Sequence, residues 1–217
     1  MSSSGLAMAS SRAGGREADL LRLMNDARTR VIVDSLARGP QRACRLEELR
    51  GLARSTLYRR LGELTELGVV SSHRVTQFPL RIEYSLTATG RVTLAHELLI
   101  ERERHRRMGA TSQAGTPTSL DDLVQLLAPL THMRRGAHGV CRVEELVTDG
   151  LDRAGNILAG DTLVHAPDTI APDARIAGTP SAWDNALLLA DSRRLTIAGD
   201  RRLGRAVLSA LEAPLRT

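Results

Sequence analysis

The chain has 217 residues, a length that suits one large domain or two small ones. With 42% apolar and 25% charged residues, its composition excludes a chain that is disordered throughout. The formal net charge of +5 is unevenly spread: residues 1–108 hold 19 arginines against 12 acidic residues, and residues 109–217 hold 11 against 13. A basic half joined to a mildly acidic half predicts one module that faces a polyanion and another with a different task.

The number of cysteines and the lengths of the apolar runs indicate in which cellular compartment the protein works. Cys44 and Cys141 are too few for a disulfide framework or a cysteine metal cage. No run of about 18 apolar residues suggests a membrane span. Residues 1–16 are small and polar without an apolar core, so we expect a disordered arm rather than a secretory signal. These features favour a cytoplasmic protein without a membrane partner.

Residues 17–107 are predicted to alternate helices and strands. An apolar helical stripe runs through residues 20–36 and ends at Gly39-Pro40. A short helix at residues 45–50 follows, and then a helix at residues 55–67 with leucines on one face. Gly68 is predicted to end that helix in a left-handed conformation.

The periodicity then changes to that of strands. Valines at 69, 70 and 75 and the alternation Ile82-Tyr84-Leu86 predict two strands joined across residues 77–80. Thr87 is the predicted N-cap of a long helix that continues through Arg107. Three helices, a hairpin and a further helix form the order of a winged helix-turn-helix.

In such a domain the second helix of the motif lies in the major groove of DNA, and residues at its start reach the base edges. The predicted contacts of that helix are its outward side chains: Arg54, Ser55, Thr56, Tyr58 and Arg59. Arg60 borders both faces and is expected to pair with an acid instead. The hairpin is the predicted wing, and its predicted DNA contacts are Arg74, Gln77 and Arg81. An ordinary solvated helix face is the alternative, and the hairpin behind the helix favours DNA.

The segment LARSTLYRRLGELTELGVV, followed by PLRIEYSLTATG, resembles the recognition helix and wing of HxlR-type regulators. MarR and PadR families share parts of this pattern. The resemblance implies a homodimer, paired through its first and last helices, that reads an inverted repeat in double-stranded DNA. No sensing cysteine precedes the first helix, so the resemblance does not extend to thiol sensing. Cys44 is interpreted as a buried small apolar residue.

Residues 108–118 have the Gly, Ser, Thr and Pro content of a linker, and residues 119–217 are predicted to form a small mixed α+β domain. Its predicted elements are a helix capped by Ser119, strands in GVCRVEELVTDG, NILAGDTLVHAPD and DARIAGTPSAW, a helix in SAWDNALLLA, a strand in RRLTIAGD and a final amphipathic helix. The end of this order, DARIAGTPSAWDNALL with RRLTIAGDRRLGRAVLSAL, resembles sterol-carrier-protein-like domains. That resemblance implies a bulky apolar effector. The predicted ligand-binding residues of this half are Trp183 and His165. A core position for Trp183 is the alternative.

Two alternatives stay open for the second half. One is a domain that serves only assembly. The other is a second winged helix, because RGPQRACRLEEL (38–49) and RGAHGVCRVEEL (135–146) share seven of twelve residues. The second copy lacks a following leucine stripe, which favours coincidence. No metal-ligand spacing, phosphate loop or nucleophile motif occurs, so we expect neither an enzyme nor a metal or cofactor site. The sequence predicts a transcriptional regulator, with a repressor released by its effector as the favoured form.

Overall fold

The computed structural model describes residues 19–20, 22–49, 51–76, 81–108, 119–133, 137–147, 153–167 and 169–216. The predicted arm, the predicted wing residue Gln77 and all but the first residue of the predicted linker lie outside these ranges. The chain divides into two compact units, residues 1–91 and 92–217. This division falls within a long helix rather than at residues 108–118, whose role as a linker stays a prediction.

The first unit has the predicted winged helix-turn-helix order. Its elements are α1 (Ala27–Ala37), β1 (Gln41–Arg42), α2 (Ala43–Glu47), α3 (Arg54–Glu66), β2 (Val70–Val75), β3 (Arg81–Leu86) and the start of α4 (Ala88–Met108). The strands form an antiparallel sheet in the order β1-β3-β2, so β2 and β3 are the predicted hairpin and β1 is an additional edge strand. The fold class predicted for this half is confirmed.

The leucine stripe of α3 faces the core of the first unit. Leu57, Leu61 and Leu64 are at most 1% exposed. Gly68 follows the helix with φ +76°, the left-handed conformation that a residue with a Cβ atom rarely adopts. A Cβ atom on Gly90 would lie 2.1 Å from the carbonyl oxygen of Val69, so the start of α4 packs directly on the backbone that leads into β2.

The second unit is a mixed α+β domain, as predicted. Besides most of α4 it contains α5 (Leu120–Leu127), β4 (Gly139–Glu145), β5 (Arg153–Ala159), β6 (Leu163–Ala166), β7 (Ala174–Gly178), α6 (Pro180–Leu189), β8 (Thr196–Gly199) and α7 (Arg201–Glu212), with short 3₁₀ turns at Ala128–Leu130 and Ala213–Arg216. The strand order is β6-β5-β4-β7-β8, and β4 and β7 are the parallel pair in it. Ser119 caps α5 and forms a reciprocal capping box with Asp122.

Two details of the sequence interpretation are corrected. The segment predicted as one strand, NILAGDTLVHAPD, forms the hairpin β5–β6, because residues 160–162 turn the chain. The second-winged-helix alternative is wrong: residues 38–49 contain β1 and α2, whereas residues 139–145 of the similar segment form the central strand β4. The sequence similarity between the two segments is therefore not a structural repeat.

Candidate nucleic-acid interface

The start of α3 presents a polar, cationic surface. Arg54 is the first residue of the helix, and Arg54, Ser55, Tyr58 and Arg59 are exposed, whereas Thr56 is half-buried. The buried leucines at 57 and 61 fix which side of the helix faces outward. The helix therefore offers a guanidinium or hydroxyl group at every outward position of its first two turns.

A single carboxylate orients two of these side chains. The phenol hydroxyl of Tyr58 donates a hydrogen bond to Oε1 of Glu47 in α2, at 2.6 Å. Nε of Arg54 lies 3.2 Å from the same oxygen, and the Arg54 guanidinium lies 5.9 Å from the centroid of the Tyr58 ring. This hydrogen bond raises the pKa of Tyr58 above its ordinary value of 10.0, with a smaller contribution from burial. The phenol therefore keeps its proton, which takes part in the hydrogen bond to Glu47.

The arginines that follow are paired along the helix. Nη1 of Arg59 lies 2.6 Å from Oε1 of Glu63, with half of the arginine side chain still exposed. Arg60 pairs with Glu63 at 2.7 Å and with Asp26 at 2.8 Å, so the prediction that Arg60 binds acids is confirmed. The hydrogen bond from Arg60 is the main reason why the pKa of Glu63 is lowered. Arg59 points outward, and Arg60 ties α3 to the residue before α1.

The two predicted DNA-binding arginines of the wing, Arg81 and Arg74, differ in whether an acidic side chain lies close to them. Arg81 lies 3.0 Å from Glu83, which also has Arg42 at 3.8 Å. Arg74 is exposed in β2, opposite Ile82 of β3, and within the described part of the chain it has no acidic partner. Gln77 cannot be placed, because it lies outside the described residues. Of these two arginines, Arg74 is therefore the one whose charge is not paired with a carboxylate of the described residues.

Glu47 and Asp26 are the residues that sequence reasoning missed. Both are acids that position arginines of α3, yet each belongs to a different element from its partner. The prediction of a buried Cys44 is wrong: this cysteine is exposed, because Leu46 occupies the buried position of the short helix α2.

In the second unit, the two predicted ligand-binding residues lie in different environments. Trp183 of α6 is fully buried, and its indole N–H donates to the carbonyl oxygen of Glu144 at 2.8 Å. His165 of β6 is half-exposed, with Nε2 3.5 Å from Oδ1 of Asp121. Their ligand-binding role stays a prediction, and the burial of Trp183 is what a core position requires. Cys141 is also buried, and burial raises the pKa of its thiol to about 12.

A buried ion cluster joins α4 to the sheet and α6 within the second unit. Arg102 of α4 donates from Nε to Asp184 of α6 at 2.9 Å and pairs through Nη2 with Glu145 at the end of β4. All three side chains are at most 6% exposed. Two carboxylates share one guanidinium here, in surroundings that strengthen each charge interaction.

Within the described ranges, no group of three His, Cys, Asp or Glu side chains is arranged to hold a metal ion. No helix in those ranges is both long enough and apolar enough to cross a membrane.

The element order and the β1-β3-β2 sheet define the fold of the first unit as a winged helix-turn-helix. A family model described as HxlR-like helix-turn-helix matches residues 23–104. The match covers less than half of the chain, so it characterises the N-terminal region alone: residues 23–104 resemble HxlR-like helix-turn-helix domains.

Solved structures of regulators are similar to less than half of the chain. The reduced form of the transcriptional regulator YodB from B. subtilis has 21% identity, covering 45% of this chain and 92% of that one, with a TM-score of 0.37. The transcriptional repressor BigR from Xylella fastidiosa has 25% identity, covering 46% and 96%, with a TM-score of 0.34. A MarR-family regulator from Enterococcus faecalis has 26% identity, covering 40% and 86%, with a TM-score of 0.34. No curated protein matches the chain.

Proposed function

We propose that this protein is a transcriptional regulator that binds double-stranded DNA as a homodimer, with α3 in the major groove and the β2–β3 hairpin along the phosphates. The observation that carries the proposal is the outward start of α3, where Glu47 orients Arg54 and the buried leucines fix the helix rotation. An oriented guanidinium at the start of a recognition helix suits bidentate hydrogen bonding to guanine.

The proposed contacts divide by chemistry. Arg54 and Arg59 bind base edges, and Ser55 and Thr56 bind bases or phosphates through their hydroxyls. Tyr58 contributes mainly through its ring, because its hydroxyl proton is bonded to Glu47. In the wing, Arg74, Gln77 and Arg81 follow the phosphates or the minor groove, with Arg74 contributing most, since Arg81 is paired with Glu83.

For the homodimer we propose apolar contacts from α1 and α4. Val31 of α1 is 39% exposed, and Ile100 and Met108 of α4 are 49% and 61% exposed. Ile100, Arg104 and Met108 recur every four residues and so share one side of the helix. The side that bears Arg102 is occupied within the subunit. This leaves the Ile100–Met108 side for a second copy.

We further propose that the second unit binds a small-molecule effector, largely apolar, that releases a repressor from DNA. A cleft of about 960 Å³ in this unit supports the idea, since ligand pockets usually begin at roughly 300 Å³. The alternative, a second unit that serves assembly alone, is supported by a different observation. Leu158 and Val164 face each other across β5 and β6 and are 46% and 54% exposed, an apolar pair on a sheet surface.

Enrichment of a random duplex library on the purified full-length protein tests the DNA-binding proposal. We expect an inverted repeat whose half-sites lie one helical turn apart, about 34–36 Å, because a two-fold dimer places its recognition helices at that spacing. Binding that weakens steeply with salt would accompany it. The proposal that a homodimer binds DNA would be overturned if the enriched duplexes shared no motif. It would also be overturned if they contained single half-sites alone.

A further inference from the structure

The exposed side of α7 carries arginines that the proposed DNA interface does not use. The helix is strongly amphipathic: Leu203, Val207 and Leu211 are buried, whereas Arg201, Arg202 and Arg205 are exposed. Within the described part of the chain, none of these three guanidinium groups has a carboxylate within salt-bridge distance. Of the exposed arginines proposed to contact DNA, Arg54 and Arg59 are paired with carboxylates, whereas Arg74 has none in the described part of the chain.

These arginines line the cleft of about 960 Å³, together with small side chains. Its lining is His132, Ala137, Arg201, Arg202, Arg205, Ala206, Ser209, Ala210 and Ala213. The cationic residues are the first ones of α7, and the alanines with Ser209 follow toward its C-terminus. From Arg201 to Ala213 the helix rises about 18 Å at 1.5 Å per residue. The cleft is therefore cationic at one end and apolar at the other.

The N-terminus of α7 is not the binding group. Oδ1 of Asp200 already accepts hydrogen bonds from the backbone N–H groups of Arg202 and Leu203, at 2.8 and 3.0 Å. The helix end is thus capped within the chain. Recognition of an anion at this position falls to the three side chains, which offer planar donors suited to carboxylate, sulfonate or phosphate oxygens.

A second cleft that borders on α7 allows a direct comparison. It measures about 510 Å³, shares Arg201, Arg205 and Ser209 with the larger cleft, and contains Arg193 together with the carboxylate of Glu212. Among the residues that the structure describes, the lining of the larger cleft contains no carboxylate, so none of them presents a like charge to an anion there. Arg202 and Ala206 line the larger cleft alone, and Arg193 lines the smaller one alone.

We infer that the larger cleft on α7 binds an amphipathic organic anion, with its acidic group on Arg201, Arg202 and Arg205 and its apolar body along Ala206, Ala210 and Ala213. This inference makes the effector function proposed above more specific. It rests on that proposal only for the claim that the bound anion releases the protein from DNA. It assigns the effector a negative charge and a place on α7, rather than at Trp183 and His165. Nucleic acid is the competing occupant of a basic helix, but phosphates alone leave the apolar end of the cleft unused.

A pair of probes that differ by one sulfonate tests the inference: 1-anilinonaphthalene-8-sulfonate and the uncharged N-phenyl-1-naphthylamine. We expect the full-length protein to bind the sulfonate probe at least tenfold more tightly than the neutral one. Arg202→Gln should weaken the sulfonate probe about tenfold, as loss of a charge-assisted hydrogen bond does. Ala206→Leu, which narrows the apolar end, should weaken both probes.

Arg193→Gln is the matched control, because it removes one exposed arginine from the smaller cleft only; it should bind as wild type does. Equal binding of the two probes, an Arg202→Gln variant that binds like wild type, or an equal loss in Arg193→Gln would each overturn the inference. So would loss of duplex DNA binding in Arg202→Gln with the probe unaffected, since that marks α7 as a nucleic-acid surface. Circular dichroism confirms that each variant is folded.

DNA binding is measured on the same samples, and separates the two proposals. If the protein binds the sulfonate probe selectively but does not bind DNA, the proposed DNA interface is wrong and the α7 site is supported. If it binds DNA but does not prefer the sulfonate probe, the α7 site is wrong and the DNA interface is supported.

Discussion

Nε of Arg102 donates a hydrogen bond to Oδ1 of Asp184 at 2.9 Å, although the two residues are 82 positions apart in the chain. Both side chains are buried, and Glu145 completes the cluster. Within the second unit, the C-terminal part of α4 is thus fixed by charge to the five-stranded sheet and to α6.

Removing one partner of this cluster should destabilise the protein strongly. We expect Asp184→Ala to lower the free energy of unfolding by about 3–5 kcal/mol, because Arg102 then loses one of its two buried carboxylates. Asp191→Ala is the control, since its ion pair with Arg193 is exposed and should contribute less than about 1 kcal/mol. Urea denaturation measures both. Equal, small effects would mean that the buried cluster does not stabilise the fold.

The same cluster predicts a pH dependence. Burial raises the pKa of Asp184 above its ordinary 3.8, although the charge of Arg102 acts in the opposite direction. A carboxyl group with a raised pKa in the folded state binds its proton more tightly there than in the unfolded chain. Its contribution to stability is therefore fully present below pH 3.8 and is lost as the pH rises through the folded-state pKa.

Asp184→Asn removes this titration while it keeps the side-chain shape. From pH 3.8 upward, the unfolding free energy of wild type should decline relative to that of the variant. Urea unfolding at a series of pH values measures the difference. A difference that is constant over this range would contradict the raised pKa.

Glu47 should control selectivity more than affinity. Glu47→Gln removes a negative charge near the DNA and loosens Arg54, so affinity for unrelated duplex should rise by about a factor of two to five while the ratio of specific to unrelated binding falls. Glu48→Gln is the matched control: it makes the same charge change, but its partner is Arg45 of α2. Fluorescence anisotropy with the enriched duplex and an unrelated one gives both ratios. The same ratio in the two variants would mean that Glu47 does not position Arg54 for recognition.

The proposed dimer predicts a sharp response on one side of α4. Ile100→Asp should shift sedimentation at micromolar protein from dimer to monomer, because a charge is costly to bury in an apolar contact. Leu189→Asp, at the 72% exposed end of α6, makes the same substitution elsewhere and should leave the dimer intact. A monomeric wild-type protein that still binds the full inverted repeat would refute the proposed pairing.

Local pattern was sufficient for most of the first unit. The leucines of α3 and Gly68 act within a few residues of their own position, and Thr87 accepts a hydrogen bond from the backbone N–H of Gly90 at the start of α4. Periodicity and capping therefore predicted α3, its end and the start of α4. β1 was not predicted, since Gln41 and Arg42 become a strand only by pairing with Glu83 and Tyr84 of β3.

Charged positions were predicted less well, because their partners are distant in sequence. Arg102 lies in the run ERERHRR, a pattern typical of a solvated helix, yet it is buried by carboxylates 43 and 82 residues away. Glu47 approaches Tyr58 across the turn between α2 and α3, 11 residues along the chain. Neither contact leaves a periodic signal, so only the three-dimensional arrangement identifies these residues.

DNA recognition by α3 is most directly tested by anisotropy titrations of the enriched duplex with Arg54→Ala and Arg59→Ala. Each variant should lose about 1–3 kcal/mol of specific binding free energy, while Arg194→Ala, an exposed arginine of the second unit, should bind like wild type. The substitution that removes a base contact should also relax selectivity at its base pair. If both α3 variants bind the duplex with wild-type affinity and selectivity, α3 is not the recognition helix.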